Sequence, residues 1–264
     1  MQGELFYHTS EWLIAFVMLV LLLLATEVGF RVGFRTRRGV DESARSQVGT
    51  IAGAIIGLLA LLLGFTFAMA LSRFDLRKRL VLEESNAIGT TYLRSRLLPE
   101  PMKTEVRGLL RSYVETRLDF YRAGQDEEQL RKALERTGEL QEKLWAQAVA
   151  AVEKDDSETT TGYFLTSLNE VIDLHSARLA ATENHVPEIV LLLLFTLAAV
   201  ATATVAYGCG LGGHRHLFAT TMVPILIVLV VTVIIDLDRP RRGFIRVSQE
   251  SMIRLRDDLN RPAP

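Results

Sequence analysis

The chain has 264 residues, of which 49% are hydrophobic, and 30 basic against 31 acidic residues give it a formal net charge of −1. Nucleic-acid-binding proteins normally carry a basic excess or stripe, so this balance argues against a nucleic-acid partner. The single cysteine, Cys209, excludes an internal disulfide and a cysteine-based metal cluster.

Four apolar stretches of the chain contain no Asp, Glu, Lys, Arg or His. They are Trp12–Thr26, Val48–Leu71, Ile189–Gly213 and Leu217–Ile235. The hydrocarbon core of a bilayer is about 30 Å thick, and a helix needs about 20 apolar residues to cross it. The second and third stretches reach that length, the first does so if it continues to Phe30, and the fourth is just long enough. We therefore predict an all-α membrane protein with four transmembrane helices.

The first span follows a segment, Met1–Glu11, that has no Lys or Arg. A secretory signal begins with a basic region, so we expect a retained span. Glu27 lies at the end of this span, where an ionisable group tends to face a partner or water. Arg31 follows four residues later and offers it an ion pair on the same helix face. At the end of the fourth span, Asp236 and Asp238 are membrane-edge charges of the same kind.

A stripe of small residues runs along the second span. It contains Gly49, Gly53, Gly57 and Gly64. Small residues let two helix backbones approach closely in a membrane. Packing against a neighbouring span of the same chain explains the stripe, and so does a subunit interface or a central pore. Phe65 and Phe67 lie near the exit from the membrane, where they are either ordinary core or lipid-facing side chains or a ring that gates a pore by dewetting.

The region between the second and third spans is charged and has the periodicity of helices. The second span continues without a helix breaker to about Leu98, where Pro99 and Pro101 end the helix. Further helices are predicted at Met102–Ala123, closed by Gly124, at Asp126–Glu153 and at Gly162–Asn184, with a loop at Asp155–Thr161. The apolar face of the first of these comprises Val106, Leu109, Leu110, Tyr113, Val114, Arg117, Leu118 and Tyr121. We predict an up-down helical bundle inserted between the second and third spans.

This order divides the chain into four parts. They are an N-terminal transmembrane pair (1–72), the helical bundle (73–186), a C-terminal transmembrane pair (187–238) and a basic amphipathic tail (239–264). The tail has a short apolar stripe, and we expect it to dock on the bundle or on the membrane surface.

Two weak motifs are better explained without a ligand. Gly208–Gly213 fits the dinucleotide fingerprint, but no strand precedes it, so we interpret it as a tight turn between the third and fourth spans. Glu170, Asp173 and His175 have a spacing that offers two metal ligands on one helix face, but a solvated or bundle-facing surface explains them better. No catalytic motif or cofactor site is found, and we do not expect an enzyme.

Basic residues cluster just after the second and fourth spans. They include Arg73, Arg77, Arg79, Arg239, Arg241 and Arg242. Such clusters either anchor the protein to anionic lipid, at about 1 kcal/mol per charge, or form the vestibule of an anion pore. Near the span ends, nine Lys and Arg lie on the side of the bundle and six on the other side, although the short first loop is itself rich in arginine. The excess favours a cytoplasmic bundle with both termini inside.

Several segments together resemble the bacterial bestrophin-like domain family of membrane proteins, which has no assigned function. These segments are Gly57–Phe67, Arg73–Asp75, Glu84–Gly89, Tyr92–Arg94, His185–Pro187, Asp236–Pro240 and Gly243–Gln249. The layout is also similar to that of the bestrophins, which are pentameric anion channels. That resemblance makes Phe65 and Phe67 candidates for the bestrophin neck, while the chain shows no clear counterpart of the acidic calcium clasp.

Two functions are compatible with these features. The first is an oligomeric ion channel of the bacterial inner membrane that prefers anions, with a pore lined by the second span and its cytosolic extension. Its partners would be the lipid bilayer, inorganic ions and further copies of the chain, five in all by the resemblance to bestrophins. The alternative is a non-conducting scaffold or stress sensor that recruits partners through its bundle.

Overall fold

The computed structural model describes residues 9–154, 161–239 and 243–261, and these residues form helices and connecting segments without strands. The helices are α1 (Glu11–Thr36), α2 (Glu42–Arg94), α3 (Met102–Arg122), α4 (Glu127–Lys154), α5 (Tyr163–Glu183), α6 (Glu188–Gly212), α7 (Leu217–Asp238) and α8 (Glu250–Asn260). The chain divides into two compact units. The membrane unit comprises Met1–Ser72 and His185–Arg239, and the bundle unit comprises Arg73–Asn184 and Pro240–Pro264. The all-α fold class is confirmed.

Four helices of the described chain are long and apolar enough to cross a membrane, and they contain the four predicted spans. The helix of the first span is longer than predicted, because α1 continues past Phe30 to Thr36 and includes Arg31 and Arg35. The second span is the first part of α2, which runs for 53 residues without a break. The chain is therefore a multi-pass membrane protein.

Within the membrane unit, α1 and α6 pack backbone to backbone. A Cβ atom added to Gly29 would lie 2.1 Å from the carbonyl oxygen of Ala203, and one added to Gly33 would lie 2.2 Å from that of Tyr207. From the other helix, a Cβ atom on Gly210 would lie 2.4 Å from the carbonyl oxygen of Phe30. Lipid supplies no hydrophobic drive between helices, so close contact through small residues is what holds this pair together.

The turn predicted at Gly208–Gly213 is wrong for most of its length. Helix α6 continues through Gly212, and only Gly213, with φ of 75°, leaves the helix to begin the connection to α7. Within this segment, Gly210 serves the contact with α1, as the crowding at that position shows. Its role is close packing between helices, which a glycine-rich pattern alone does not distinguish from a turn.

The bundle unit is built on the C-terminal part of α2 with α3, α4, α5 and α8. The predicted end of α2 is confirmed: the helix stops at Arg94, one turn of 3₁₀ helix follows at Ser95–Leu97, and Leu98 is extended. Gly124 adopts φ of 55° after α3, as a C-capping glycine does. The predicted loop at Asp155–Thr161 lies outside the described residues except for Thr161.

The C-terminal tail packs on the bundle. Met252 and Leu259 of α8 are buried in the bundle core. The Ser85 hydroxyl donates to the carbonyl oxygen of Ser251 at 3.0 Å, and Nε of Arg111 donates to that of Leu259 at 2.9 Å. The tail was predicted to dock on the bundle or on the membrane surface, and in the structure α8 packs on the bundle.

Candidate functional site

The glycine stripe of α2 packs against no other helix within the described part of the chain. A Cβ atom added to any of its four glycines would meet no described atom of the chain within 4 Å. This holds for Gly49, Gly53, Gly57 and Gly64. Only 17% of the apolar segment of α2 is buried, against 50% for that of α7. Packing against a neighbouring span of the same chain, the plainer of the two explanations for the stripe, is therefore wrong.

The two aromatic side chains near the end of the α2 span are both exposed, Phe65 at 63% and Phe67 at 38%. They point in different directions around the helix. Phe67 follows Gly49 by about five full turns of 3.6 residues and so shares the face of the glycines. Phe65 is rotated by about 160° from Gly49. The buried residues of this segment lie on a third face of the helix, which carries neither phenylalanine. They are Leu59, Thr66 and Ala70.

Glu27 forms the ion pair expected from its spacing. Its Oε1 atom accepts a hydrogen bond from Nε of Arg31 at 2.7 Å. Its second oxygen is bound by Arg215, which lies after α6. The carboxylate is thus paired twice inside the protomer, and this contact ties the end of the first span to the connection between α6 and α7.

Asp236 and Asp238 are both buried at the end of α7. The Oδ2 atom of Asp238 accepts the backbone N–H of Val186 at 2.7 Å, just before α6 begins. Nδ1 of His185 lies 3.1 Å from the carbonyl oxygen of Asp238. These bonds join the start of α6 to the end of α7, so Asp238 has a positioning role in the membrane unit.

The basic residues do not form a single exposed cluster. Arg79 is exposed and Arg73 is half-buried, but Arg77 is buried. Its Nε atom donates to the carbonyl oxygen of Ala181 and its Nη2 atom to that of Asn184, both at 2.9 Å. Arg77 therefore contacts neither lipid nor a vestibule, and the prediction for it is wrong.

The second basic cluster is described only in part. Arg239 is also buried, at 3% exposure, so it does not face lipid as predicted. Arg241 and Arg242 lie outside the described residues.

The bundle unit contains a buried cluster of charges that sequence reasoning missed. Glu84 is fully buried between Arg117 and Arg178. Its Oε1 atom accepts Nε of Arg117 at 2.7 Å, and its Oε2 atom accepts Nη1 of Arg178 at 2.5 Å. Nη2 of Arg178 donates to Oε1 of Gln249 at 2.6 Å, which ties the segment before α8 to the cluster. We call Glu84, Arg117, Arg178 and Gln249 the buried charge cluster.

The electrostatics of this cluster favour the ionised carboxylate. Burial alone raises the pKa of the Glu84 carboxyl, but the guanidiniums of Arg117 and Arg178 outweigh burial and hold the pKa below its ordinary value. Nη1 of Arg117 is buried and has no hydrogen-bond partner among the described residues. One carboxylate thus faces two guanidiniums, and a positive charge is left over in the interior of the bundle.

His175 lies beside this cluster. The described part of the chain holds no group of three or more His, Cys, Asp or Glu side chains that could bind a metal ion. Burial, together with the positive charges of Arg117 and Arg178, lowers the pKa of His175 to about 4, although Glu84 opposes the shift. The imidazole is therefore neutral at pH 7.

The neutral state of His175 predicts a loss of stability in acid. In the unfolded chain the imidazole has a pKa of 6.5, so between pH 6.5 and about 4 the unfolded state binds a proton that the folded state does not. The free energy of unfolding should fall by about 1–2 kcal/mol across this window, allowing for solvent screening of a half-buried group. Urea unfolding at a series of pH values measures it. His175→Gln should flatten this part of the profile, whereas the same change at the exposed His214 should not; equal profiles for both variants would contradict the assignment.

Comparison with known proteins finds one matching family and several solved structures with a similar fold. A family model described as the bestrophin-like domain matches residues 16–252. Comparison with curated protein sequences gives no significant match. A point-mutant form of a bacterial bestrophin homolog from Klebsiella pneumoniae aligns with a TM-score of 0.66 at 16% identity, over 96% of this chain and 98% of that chain. The same homolog solved by Zn-SAD phasing has a TM-score of 0.63 at 18% identity, over 91% and 96% of the two chains.

Proposed function

Because the chain belongs to the bestrophin-like domain family, whose model covers most of its length, we propose that it forms an oligomeric ion channel of the bacterial inner membrane. The pore is lined by α2, and anions pass in preference to cations. The number of subunits follows from analogy with the bestrophins and is five. The helical bundle and both termini lie on the cytoplasmic side, as the distribution of Lys and Arg near the span ends favours.

The observation that supports the proposal best is the uncovered face of α2. Its glycines are in contact with none of the neighbouring atoms that the structure describes, and most of its apolar segment is exposed. A small-residue face in a membrane is suited to close contact with another helix. A second copy of the chain supplies that contact, and several copies around an axis place α2 of each copy at the centre.

Within such a ring, Phe67 is the better candidate for the constriction. It shares the helix face of the glycines, whereas Phe65 points about 160° away from Gly49. If the edge of the glycine face that carries Gly49 and Phe67 turns to the axis while the other glycines contact the neighbouring copy, Phe67 side chains form a hydrophobic ring that gates by dewetting, and Phe65 contacts the neighbouring subunit or lipid.

The preference for anions is supported by the charges that follow the span. Arg73 and Arg79 lie in α2 just beyond its apolar segment, and both are at least partly exposed. Repeated around an axis, these side chains form rings of positive charge, and such rings favour anions.

The proposal is tested with the purified full-length chain in a planar bilayer. Native mass spectrometry of the same sample should give a closed oligomer, a pentamer by analogy, and the bilayer should show discrete currents whose reversal potential follows the chloride gradient. A monomer would overturn the ring. A well-folded oligomer that is silent in halides and in monovalent cations would overturn conduction and favour the scaffold function.

Sidedness has its own test. A protease added to sealed inside-out vesicles should cut the loop near Gln125 and remove the C-terminal tail, while right-side-out vesicles should protect both. Cleavage of the two sites from opposite sides would overturn the proposed topology.

A further inference from the structure

One end of the membrane unit carries an excess of positive charge. The connection between α1 and α2 and the connection between α6 and α7 meet there, because Arg215 of the second binds Glu27 of α1. The basic residues of this end are arginines and histidines, without a lysine. Three carboxylates, Glu27, Asp41 and Glu42, stand against six arginines, namely Arg31, Arg35, Arg37, Arg38, Arg45 and Arg215. We call this end of the membrane unit the arginine end.

Two of these arginines have no counter-charge in the described part of the chain. The carboxylate of Glu27 is shared by two other guanidiniums. Oδ1 of Asp41 accepts the backbone N–H of Ala44 at 2.7 Å and so caps the start of α2. Arg35 and Arg38 are exposed, and neither forms an ion pair or a hydrogen bond with a described residue. Their guanidiniums are therefore available to a ligand from outside the protomer.

The position of the arginines along α1 matches the depth of lipid phosphates. The part of α1 from Trp12 to Phe30 is about 28 Å long, which is close to the thickness of the hydrocarbon layer. Arg31 and Arg35 follow within about 8 Å of Phe30 along the helix axis, and one headgroup layer is roughly that deep. The arginines thus lie where the phosphates of one leaflet lie.

The surface of α1 on the hydrocarbon side of these arginines is apolar and exposed. Arg31 and Arg35 each follow by two residues a glycine that contacts α6, so they lie on the opposite side of α1. Leu24 and Val28 precede them by two helical turns on that same side and are 55% and 59% exposed. Unpaired positive charge next to an exposed apolar surface fits an amphiphile with an anionic head and hydrocarbon chains. A soluble anion would make no use of the apolar surface.

We propose that the arginine end binds an anionic phospholipid, whose phosphate is held by Arg35 and Arg38 and whose acyl chains lie along Leu24 and Val28. Arginine binds phosphate through two parallel N–H···O bonds and lysine does not, which agrees with the absence of lysine here. A lipid with net negative charge is preferred, because the headgroup of a zwitterionic lipid already neutralises its own phosphate. The inference goes beyond the proposed function and does not depend on conduction.

The first test titrates the purified full-length chain in detergent with phosphatidylglycerol or with phosphatidylcholine of the same acyl chains, and native mass spectrometry counts the bound lipid. Phosphatidylglycerol should bind at least about tenfold more tightly, and inorganic phosphate should not displace it. Equal affinities would overturn the proposal, because the arginines would then not distinguish the lipids by charge. Displacement by inorganic phosphate would also overturn it, because the ligand would then be a soluble anion.

A double variant places the effect at the arginine end. Near a membrane surface each charge contributes roughly fivefold to the affinity for anionic lipid. Arg35→Gln with Arg38→Gln should therefore weaken the binding of phosphatidylglycerol at least about tenfold and leave that of phosphatidylcholine unchanged. The matched control, Arg96→Gln with Arg122→Gln, removes two exposed arginines of the bundle unit and should keep the wild-type affinity.

The double variant should fold normally, because neither side chain has a partner among the described residues. Circular dichroism of the purified variant checks this. Wild-type affinity of the double variant for phosphatidylglycerol would overturn the proposal. A changed number of subunits with unchanged lipid binding would overturn it as well, because the arginine end would then contact a neighbouring copy of the chain.

Discussion

Glu84→Gln should lower the free energy of unfolding by about 3–5 kcal/mol, the largest effect we expect from a single side chain of the bundle. The substitution keeps the size of the side chain and removes the one carboxylate that, among the described residues, pairs with both Arg117 and Arg178. Both guanidiniums are then left buried without a counter-charge, because Arg117 is 1% exposed and Arg178 is 6% exposed. Thermal or urea unfolding of the purified protein, followed by circular dichroism, measures the loss.

The neighbouring residue supplies the matched control. Glu83 is exposed on the same helix, and Glu83→Gln makes the same chemical change where solvent screens the charge. It should alter stability by less than about 0.5 kcal/mol. Equal losses for the two variants would show that the buried ion pairs of Glu84 contribute nothing particular to the free energy of unfolding.

Gly29→Ala should destabilise the membrane unit by about 2–4 kcal/mol. The added methyl group would lie 2.1 Å from the carbonyl oxygen of Ala203 and 2.9 Å from its Cα atom, so the backbones of α1 and α6 must separate. The fraction of protein that stays folded during a denaturing-detergent titration measures the effect.

A glycine in open surroundings provides the comparison. Gly108 lies within α3, and no described atom lies within 4 Å of a Cβ atom added there. Gly108→Ala should be neutral or stabilising by up to about 1 kcal/mol, since alanine is the better helix former. A loss as large at Gly108 as at Gly29 would contradict the close packing of α1 on α6.

The parts of the fold that the sequence predicts correctly depend on local properties. A span is recognised from the length of a run without charges, because hydrocarbon thickness sets that length and a single charge breaks the run. The end of the α2 extension follows from Pro99 and Pro101, which act on the residues next to them. The C-cap at Gly124 follows in the same way from the conformational freedom of one glycine.

The parts that it does not predict depend on residues far apart in the chain. Glu84 meets Arg117 across 33 positions and Arg178 across 94, and a single sequence carries no record of such a pair. A usable signal was nevertheless present, because Arg117 occupies a position on the apolar face of α3. A charged residue at a core position of an amphipathic helix indicates a buried partner.

The glycines of the membrane unit also show that a contact between distant residues is not predicted from the sequence. Two glycine-rich segments have similar composition, yet Gly210 lies against α1, whereas Gly57 of α2 has open space around it as far as the described residues extend. Spacing predicts that a helix face is suited to close contact, but the partner that fills it depends on the tertiary structure and on the oligomer.

The central claim is that α2 lines a pore, and it is tested most directly by thiol modification of single channels. Phe67→Cys and Phe16→Cys are each made with Cys209→Ser, which removes the only native cysteine. Phe67 lies near the bundle end of the α2 span, and Phe16 lies near the start of α1, exposed at 64%. A positively charged, water-soluble thiol reagent should change the current of the Phe67→Cys channel severalfold and leave that of the Phe16→Cys channel unchanged. An unaltered current after modification of Cys at position 67, or an equal change in both channels, would contradict a pore lined by α2.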